Sequence, residues 1–101
     1  MDIVSVIRKL CEGKNAFHDL FDKTKTYEKL LALADDKKDA ELFGALLYGS
    51  ARNTLLEMIN DVYNFKQYAV KAHGLLVSDG LDAADAKRAL EIFFKAFGFP
   101  G

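Results

Sequence analysis

The stretch SARNTLLEMINDVYNFKQYAVKAHGLLV, residues 50–77, decides which fold the chain can adopt. Its apolar residues recur in alternating steps of three and four, the spacing that places side chains on one face of an α-helix. The members of this stripe are Leu55, Met58, Val62, Phe65, Ala69, Ala72 and Leu76, widened on one side by Leu56, Ile59, Tyr63, Val70 and Val77. So broad an apolar face predicts one long central helix over residues 50–77, covered by several neighbours. Gly74 costs a helix about 1 kcal/mol relative to alanine and is the expected position of a bend or an end.

Helical spacing also runs through the rest of the chain, and no window alternates with the period of two that a strand requires. In chain order, the other helices are predicted over residues 2–12 with Asp2 as cap, after Asn15, after a cap at Thr24 or Thr26, after a cap at Asp36, and after a cap at Asp82. The short charged turn before Asp36 makes its two flanking helices an antiparallel hairpin. We therefore expect an all-α, compact bundle of about six helices that forms a single domain over residues 1–101.

The composition argues against several classes of function. The chain has 14 basic and 15 acidic side chains in 101 residues, and they are interspersed rather than grouped into a basic stripe, so we expect no nucleic-acid partner. No apolar run approaches the roughly 18 to 20 residues that span a bilayer, and the apolar start is too short for a secretory signal, so we expect no membrane association. A single cysteine cannot form an internal disulfide, which favours a reducing compartment and a cytoplasmic location.

The sequence SDGLDAAD, residues 78–85, has the aspartates and glycine of some calcium loops. Counted from its second residue, however, the third and twelfth positions of an EF-hand loop would be Leu81 and Leu90, neither of which has a ligand oxygen. The same residues fit the end of one helix and the start of another. Gly80 can adopt a positive φ angle, and Asp82 can accept main-chain hydrogen bonds as an N-cap. A structural role is therefore predicted for this stretch, and no metal is expected there.

The end of the last predicted helix is unusually aromatic. Ile92, Phe93, Phe94, Phe97 and Phe99 together cover more than half of the helix circumference. A surface helix of a small domain normally buries a narrower stripe, and a contiguous exposed apolar patch often marks an interaction site. These five residues are the predicted partner-binding surface, although neighbouring helices that cover all of them would leave them a purely structural role.

Catalytic chemistry has weak support in the sequence. Cys11, His18 and Asp22 could act as nucleophile, base and orienting group, since His18 and Asp22 are one helical turn apart. Cys11, however, lies on the apolar stripe of the first helix, where a cysteine behaves as a small hydrophobic residue. The two histidines and one cysteine have no metal-binding spacing, and no phosphate loop or dinucleotide motif occurs. We therefore expect no catalytic residues, no cofactor and no enzyme activity.

Two segments carry a resemblance to a known group of domains. They are Gly80-Leu81-Asp82, Ala86, Ala89-Leu90, Phe93 and Ala96-Phe97-Gly98 in the last helix, and Ala45-Leu46-Leu47-Tyr48-Gly49 ahead of the long one. This pattern resembles that of small all-helical accessory modules of unknown function that are appended to diverse bacterial proteins. The resemblance implies an accessory or binding role and transfers no site residue.

Taken together, these features predict a non-catalytic interaction module. We expect it to bind a protein partner, or a second copy of itself as a homo-oligomer, through an apolar face that includes the last helix. The alternative is a domain that binds a small molecule or a lipid in a pocket between the long helix and the last helix, with His73 or Tyr63 reaching into it.

Overall fold

A computed structural model of the chain describes residues 2–11 and 20–99. Every regular element within these two ranges is helical. The elements are α1 (Ile3–Leu10), α2 (Lys23–Leu33), α3 (Lys37–Tyr48), α4 (Arg52–Asn60), a short 3₁₀ turn (Val62–Asn64), α5 (Phe65–Ser78) and α6 (Ala83–Phe97). The all-α prediction is confirmed for the described part of the chain. Most of the predicted helix after Asn15 lies outside the described residues.

Aspartate side chains begin four of these helices. Asp2, Asp36 and Asp82 accept main-chain N–H bonds at the starts of α1, α3 and α6, as predicted. In α2 the cap is Asp22, whose carboxylate accepts a bond of 3.0 Å from the Thr24 N–H, so the prediction of a threonine cap is wrong. Because Asp22 already accepts the Thr24 N–H, the helix begins before either threonine could act as its cap.

The stretch predicted as one long central helix, residues 50–77, is divided in two. At Asp61 the backbone leaves the helical region, with φ −140° and ψ 69°. The Asp61 carboxylate accepts hydrogen bonds of 3.0 Å from the Asn64 side chain and 3.0 Å from the Tyr68 hydroxyl. After this turn, α5 packs against α4. The two halves of one straight helix could not contact each other in this way. The prediction of a long helix is therefore wrong.

Two physical facts explain this correction. A continuous helix over residues 50–77 would be about 40 Å long, whereas the largest dimension of the molecule is 30 Å. Aspartate and asparagine side chains also compete with the helix for main-chain hydrogen bonds, and apolar spacing does not register this competition. The apolar stripe continues in phase across the turn, which is why periodicity alone missed the break.

The central helix of the bundle is instead α6, which packs against α3, α1 and α5. Its buried residues are Ala86, Ala89, Leu90, Ile92 and Phe93. They meet the most buried part of α3, which includes Phe43, Leu46 and Leu47. By contrast, α5 lies at the edge of the bundle and buries only Ala72 and Leu76 of its own side chains.

A charged pair fixes α6 on α3. The Arg88 guanidinium makes two hydrogen bonds to the Asp39 carboxylate, with Nε–Oδ1 at 3.1 Å and Nη2–Oδ2 at 2.9 Å. This two-bond geometry is the most directional form of an ion pair, and it raises the pKa of Arg88. Since Asp39 is largely covered and Arg88 is partly exposed, the pair sets the position of α6 at the edge of the core.

Candidate functional site

The end of α6 folds back on the helix because of one glycine. Gly98 has φ 75° and ψ 20°, a left-handed conformation that glycine adopts without steric cost. The chain then reverses, and the Phe99 N–H donates a hydrogen bond of 3.0 Å to the Phe94 carbonyl. Gly98 therefore carries the Phe99 ring onto the side of α6 rather than away from the domain.

This reversal assembles a phenylalanine cluster of Phe65, Phe93, Phe94, Phe97 and Phe99. The Phe65 ring from α5 lies 6.0 Å from that of Phe94, edge to face, and 5.6 Å from that of Phe99. The Phe93 ring stacks on Phe99 at 5.9 Å and lies 4.7 Å from Phe97. Offset and edge-to-face pairs at these distances are favourable. The rings therefore cover much of one another's surface and join α5 to α6.

The five residues predicted to bind a partner divide into two groups. Ile92 and Phe93 are 1% and 0% exposed, so their side chains belong to the core. Phe94, Phe97 and Phe99 are half-buried and pack against the core from its edge. The partner-binding role of the set stays a prediction, and only the second group has surface to offer a partner.

A groove of about 600 Å³ runs between α5 and α6, beside this cluster. The residues that line this α5–α6 groove are His73, Lys87, Leu90, Glu91, Phe94, Lys95 and Phe99. Leu90, Phe94 and Phe99 provide its apolar surface. Its charged residues, Lys87, Glu91 and Lys95, are one helical turn apart and alternate in sign, which allows neighbouring pairs to attract.

The pocket expected in the alternative prediction has a counterpart here, but with one of its two named residues. His73 lines the α5–α6 groove, and its Nε2 lies 3.3 Å from the Ala83 carbonyl oxygen. Tyr63 is 101% exposed and does not line the groove. The residues that could contact a ligand are therefore one imidazole, the three charged side chains and the apolar surface.

The other candidate chemistry gains nothing from the structure. Burial raises the pKa of the Cys11 thiol, which lowers the fraction of reactive thiolate at neutral pH. His18, the base of the hypothetical nucleophilic arrangement, lies outside the described residues. Within residues 2–11 and 20–99, no three histidine, cysteine, aspartate or glutamate side chains gather as metal ligands.

The outer side of α5 differs from what the apolar spacing predicted. Val70 and Val77, interpreted as part of the buried stripe, are 76% and 43% exposed. Gly74 lies between them, and apart from its chain neighbours and the adjacent backbone of its own helix nothing lies within 4 Å of the position that a Cβ would take. Recognising the helix break at Asp61 in the sequence would have predicted this surface, because the break places α5 at the edge of the bundle rather than at its centre.

Comparison of the chain with protein-family models, with curated protein sequences and with solved structures finds no match. The resemblance to bacterial accessory modules therefore stays a prediction. In the part of the chain that the structure describes, none of the helices has both the length and the apolar character needed to cross a membrane.

Proposed function

We propose that this chain is a non-catalytic helical module that binds another protein through the α5–α6 groove. The observation that carries the proposal is the half-buried phenylalanine surface of the groove, bordered by charges of both signs. We propose the cytoplasm as its location, because a chain with one cysteine has no internal disulfide to stabilise it.

The groove has the composition of a protein-binding surface. Aromatic residues are enriched at interface centres, where they lose the most water on binding, and charged residues are enriched at the rim. Phe94 and Phe99 would accept an apolar side chain of the partner. Lys87, Glu91 and Lys95 would orient the partner segment through hydrogen bonds at the edge, where they stay in contact with water and lose little hydration.

The partner in this proposal is either a different protein or a second copy of the chain. A net charge of −1 generates little repulsion between copies, so electrostatics do not separate the two. The mass of the particle in solution distinguishes these two kinds of partner. A self-associating module forms dimers as its concentration rises, whereas a module for another protein stays monomeric in pure form.

A second candidate function is binding of a small apolar molecule or a lipid chain in the same groove. The observation in its favour is the volume of about 600 Å³, which lies in the range of ligand pockets, roughly 300 to 1,000 Å³. His73 and the two groove lysines would then contact a polar or anionic end of the ligand.

The experiment places a photo-crosslinking amino acid at position 95 and compares the wild-type background with Phe94→Asp and with Leu33→Asp. Leu33 is 40% exposed on α2, outside the groove, so its variant is the matched control for a new surface charge. We expect a crosslinked protein, or a crosslinked dimer, that Phe94→Asp abolishes and Leu33→Asp preserves. Circular dichroism establishes that both variants remain folded.

A chain that stays monomeric by sedimentation and gives no crosslink that depends on Phe94 would contradict the proposal. The small-molecule function would instead be favoured by two results together. An apolar dye should become more fluorescent with the wild type but not with Phe94→Asp, and no protein should crosslink at position 95.

A further inference from the structure

The outer face of α5 presents an apolar row to solvent. Val70, Gly74 and Val77 follow one another at steps of four and three, so they lie on one side of the helix. This side is opposite to Ala72 and Leu76, which are fully buried. Val70 is 76% exposed although it lies in the middle of the helix, where no end effect explains its exposure.

A helix at the edge of a bundle normally shows polar residues to water. In α5 the row of Val70, Gly74 and Val77 interrupts this pattern, and Tyr63 lies in the 3₁₀ turn just before the helix. Tyr63 is 101% exposed, so the domain itself makes no use of its ring. We call Val70, Gly74 and Val77 the α5 outer row.

The charged residues of α5 itself have one sign. The helix has the sequence FKQYAVKAHGLLVS, which contains Lys66 and Lys71 and no acidic residue, although the whole chain has 15 aspartates and glutamates. Both lysines are exposed and flank the row on its two sides. The two lysines therefore give the outer side of α5 a local positive charge, whereas Asp61 and Asp79 lie before and after the helix.

We propose that the α5 outer row binds an amphipathic helix of a partner protein whose apolar residues are flanked by aspartate or glutamate. Val70, His73, Gly74 and Val77 have the i, i+3, i+4, i+7 spacing of a hole that receives one side chain of a facing helix. Gly74 makes the bottom of that hole deep, since nothing occupies the space of its missing side chain. The partner carboxylates lie opposite Lys66 and Lys71.

The positive charge decides between this occupant and two others. A second copy of the chain, packed α5 on α5, would bring Lys66 and Lys71 of both copies together with no carboxylate on either helix to offset them. An anionic membrane would gain only about 1 kcal/mol from each of two lysines, too little for stable attachment, and would have no use for a hole at Gly74. A partner helix with acidic flanks satisfies both features.

The size of the surface sets the expected affinity. A partner helix along α5 contacts about 20 Å of its length, an interface at the small end of the known range. We therefore expect a transient complex with micromolar affinity. The surface borders the α5–α6 groove at His73 but contains neither Phe94 nor Phe99, so Phe94→Asp distinguishes the two proposals.

The probes are two synthetic helical peptides with identical leucines at i, i+4, i+7 and i+11, one flanked by glutamates and the other by lysines. Each is titrated into the isotope-labelled full chain, and backbone amide signals are followed by nuclear magnetic resonance. We expect the acidic peptide to shift the signals of residues 63–78 and to lose affinity as sodium chloride is added. We expect no binding of the basic peptide.

Gly74→Leu tests the hole without harming the fold. Replacing a mid-helix glycine with open space around it raises helix propensity, so the variant should unfold at the same or a higher temperature. Filling the hole should nevertheless lower the affinity for the acidic peptide by about tenfold, the loss expected for a central interface contact. Val70→Ser should have the same effect, whereas Leu33→Ser on α2 is the matched control and should have none.

Three results would overturn the proposal. One is equal binding of the two peptides, or signals that shift at the α5–α6 groove rather than along α5. Another is a dimer of the pure chain that Val70→Ser dissociates, which would make the occupant a second copy. The third is sedimentation with phosphatidylserine vesicles that Val70→Ser abolishes. Phe94→Asp should leave peptide binding unchanged, which separates this surface from the groove.

Discussion

At the start of α6, the Asp82 carboxylate accepts a hydrogen bond of 2.8 Å from the Asp85 N–H. Because α6 is the central helix, loss of this cap should reduce the stability of the whole domain. We expect Asp82→Ala to lower the free energy of unfolding by about 1 kcal/mol, measured by urea denaturation. Asp82→Asn keeps the accepting oxygen and should lose much less. Equal losses in the two variants would show that the carboxylate charge matters more than the hydrogen bond.

Tyr48 gives the domain a predictable response to alkaline pH. Its hydroxyl donates a hydrogen bond of 2.9 Å to the Leu20 carbonyl, and burial, followed by the nearby Asp22 carboxylate, raises the pKa of Tyr48 from 10.0 to about 12. A raised pKa in the folded state means that the contribution to stability is complete below pH 10 and is lost as the pH rises through 12. The free energy of unfolding should therefore fall over this window.

The measurement for Tyr48 compares urea denaturation of the wild type and Tyr48→Phe between pH 9 and 12. The variant has no phenol to ionise at this position, so its stability should decline less steeply over the window. Absorbance at the tyrosinate band should also show one fewer late-titrating group. Parallel declines in the two proteins would contradict the assignment.

Two glycines inside helices should respond oppositely to the same substitution. A Cβ at Gly44 of α3 would lie 2.6 Å from Cε1 of Tyr27, whose ring packs edge to face on Tyr48, whereas a Cβ at Gly74 of α5 would meet nothing within 4 Å. Alanine favours both helices by about 1 kcal/mol over glycine. At Gly44 we expect the overlap with the Tyr27 ring to cost more than this gain.

We therefore expect Gly74→Ala to raise the free energy of unfolding by 0.5 to about 1 kcal/mol and Gly44→Ala to lower it by about 1 kcal/mol. Thermal and urea unfolding provide the measurement. Tyr27→Leu combined with Gly44→Ala should recover part of the loss, because the smaller side chain leaves room for the new methyl group. Stabilisation by Gly44→Ala alone would show that α2 and α3 are less closely packed than the distance indicates.

The helices could be predicted from the sequence where they are determined by interactions between residues close in the chain. A cap such as Asp82 acts on residues next to it in the chain, so residue type and spacing identify it. The turn at Asp61 is also made by nearby side chains, Asn64 and Tyr68, but its signal is carried by hydrogen bonds rather than by apolar spacing. Periodicity therefore predicted helices on both sides and missed the point where they separate.

At the scale of the whole molecule, burial depends on which helix lies at the centre, and this could not be predicted from any one segment. Phe93 and Val70 both lie on broad apolar faces, yet Phe93 is 0% exposed and Val70 is 76% exposed. The difference arises because, within residues 2–11 and 20–99, α6 packs mainly against α1, α3 and α5, whereas α5 packs mainly against α4 and α6. The partner-binding role of the last helix stays a prediction from the sequence, whereas the α5 outer row could be seen only in the three-dimensional arrangement.

Loss of the turn at Asp61 is expected to allow two chains to exchange helices. The apolar stripe continues in phase across it, so a variant without its hydrogen bonds can form one straight helix from residue 52 to residue 78, about 40 Å long. Such a helix would carry α5 and α6 onto a second chain, where they would find the same contacts, giving a domain-swapped dimer. We expect Asp61→Ala with Asn64→Ala to form this dimer by light scattering, and exposed Asn53→Ala to stay in the wild-type state. A short polar turn would thus act as the barrier between a closed monomer and an exchanged pair.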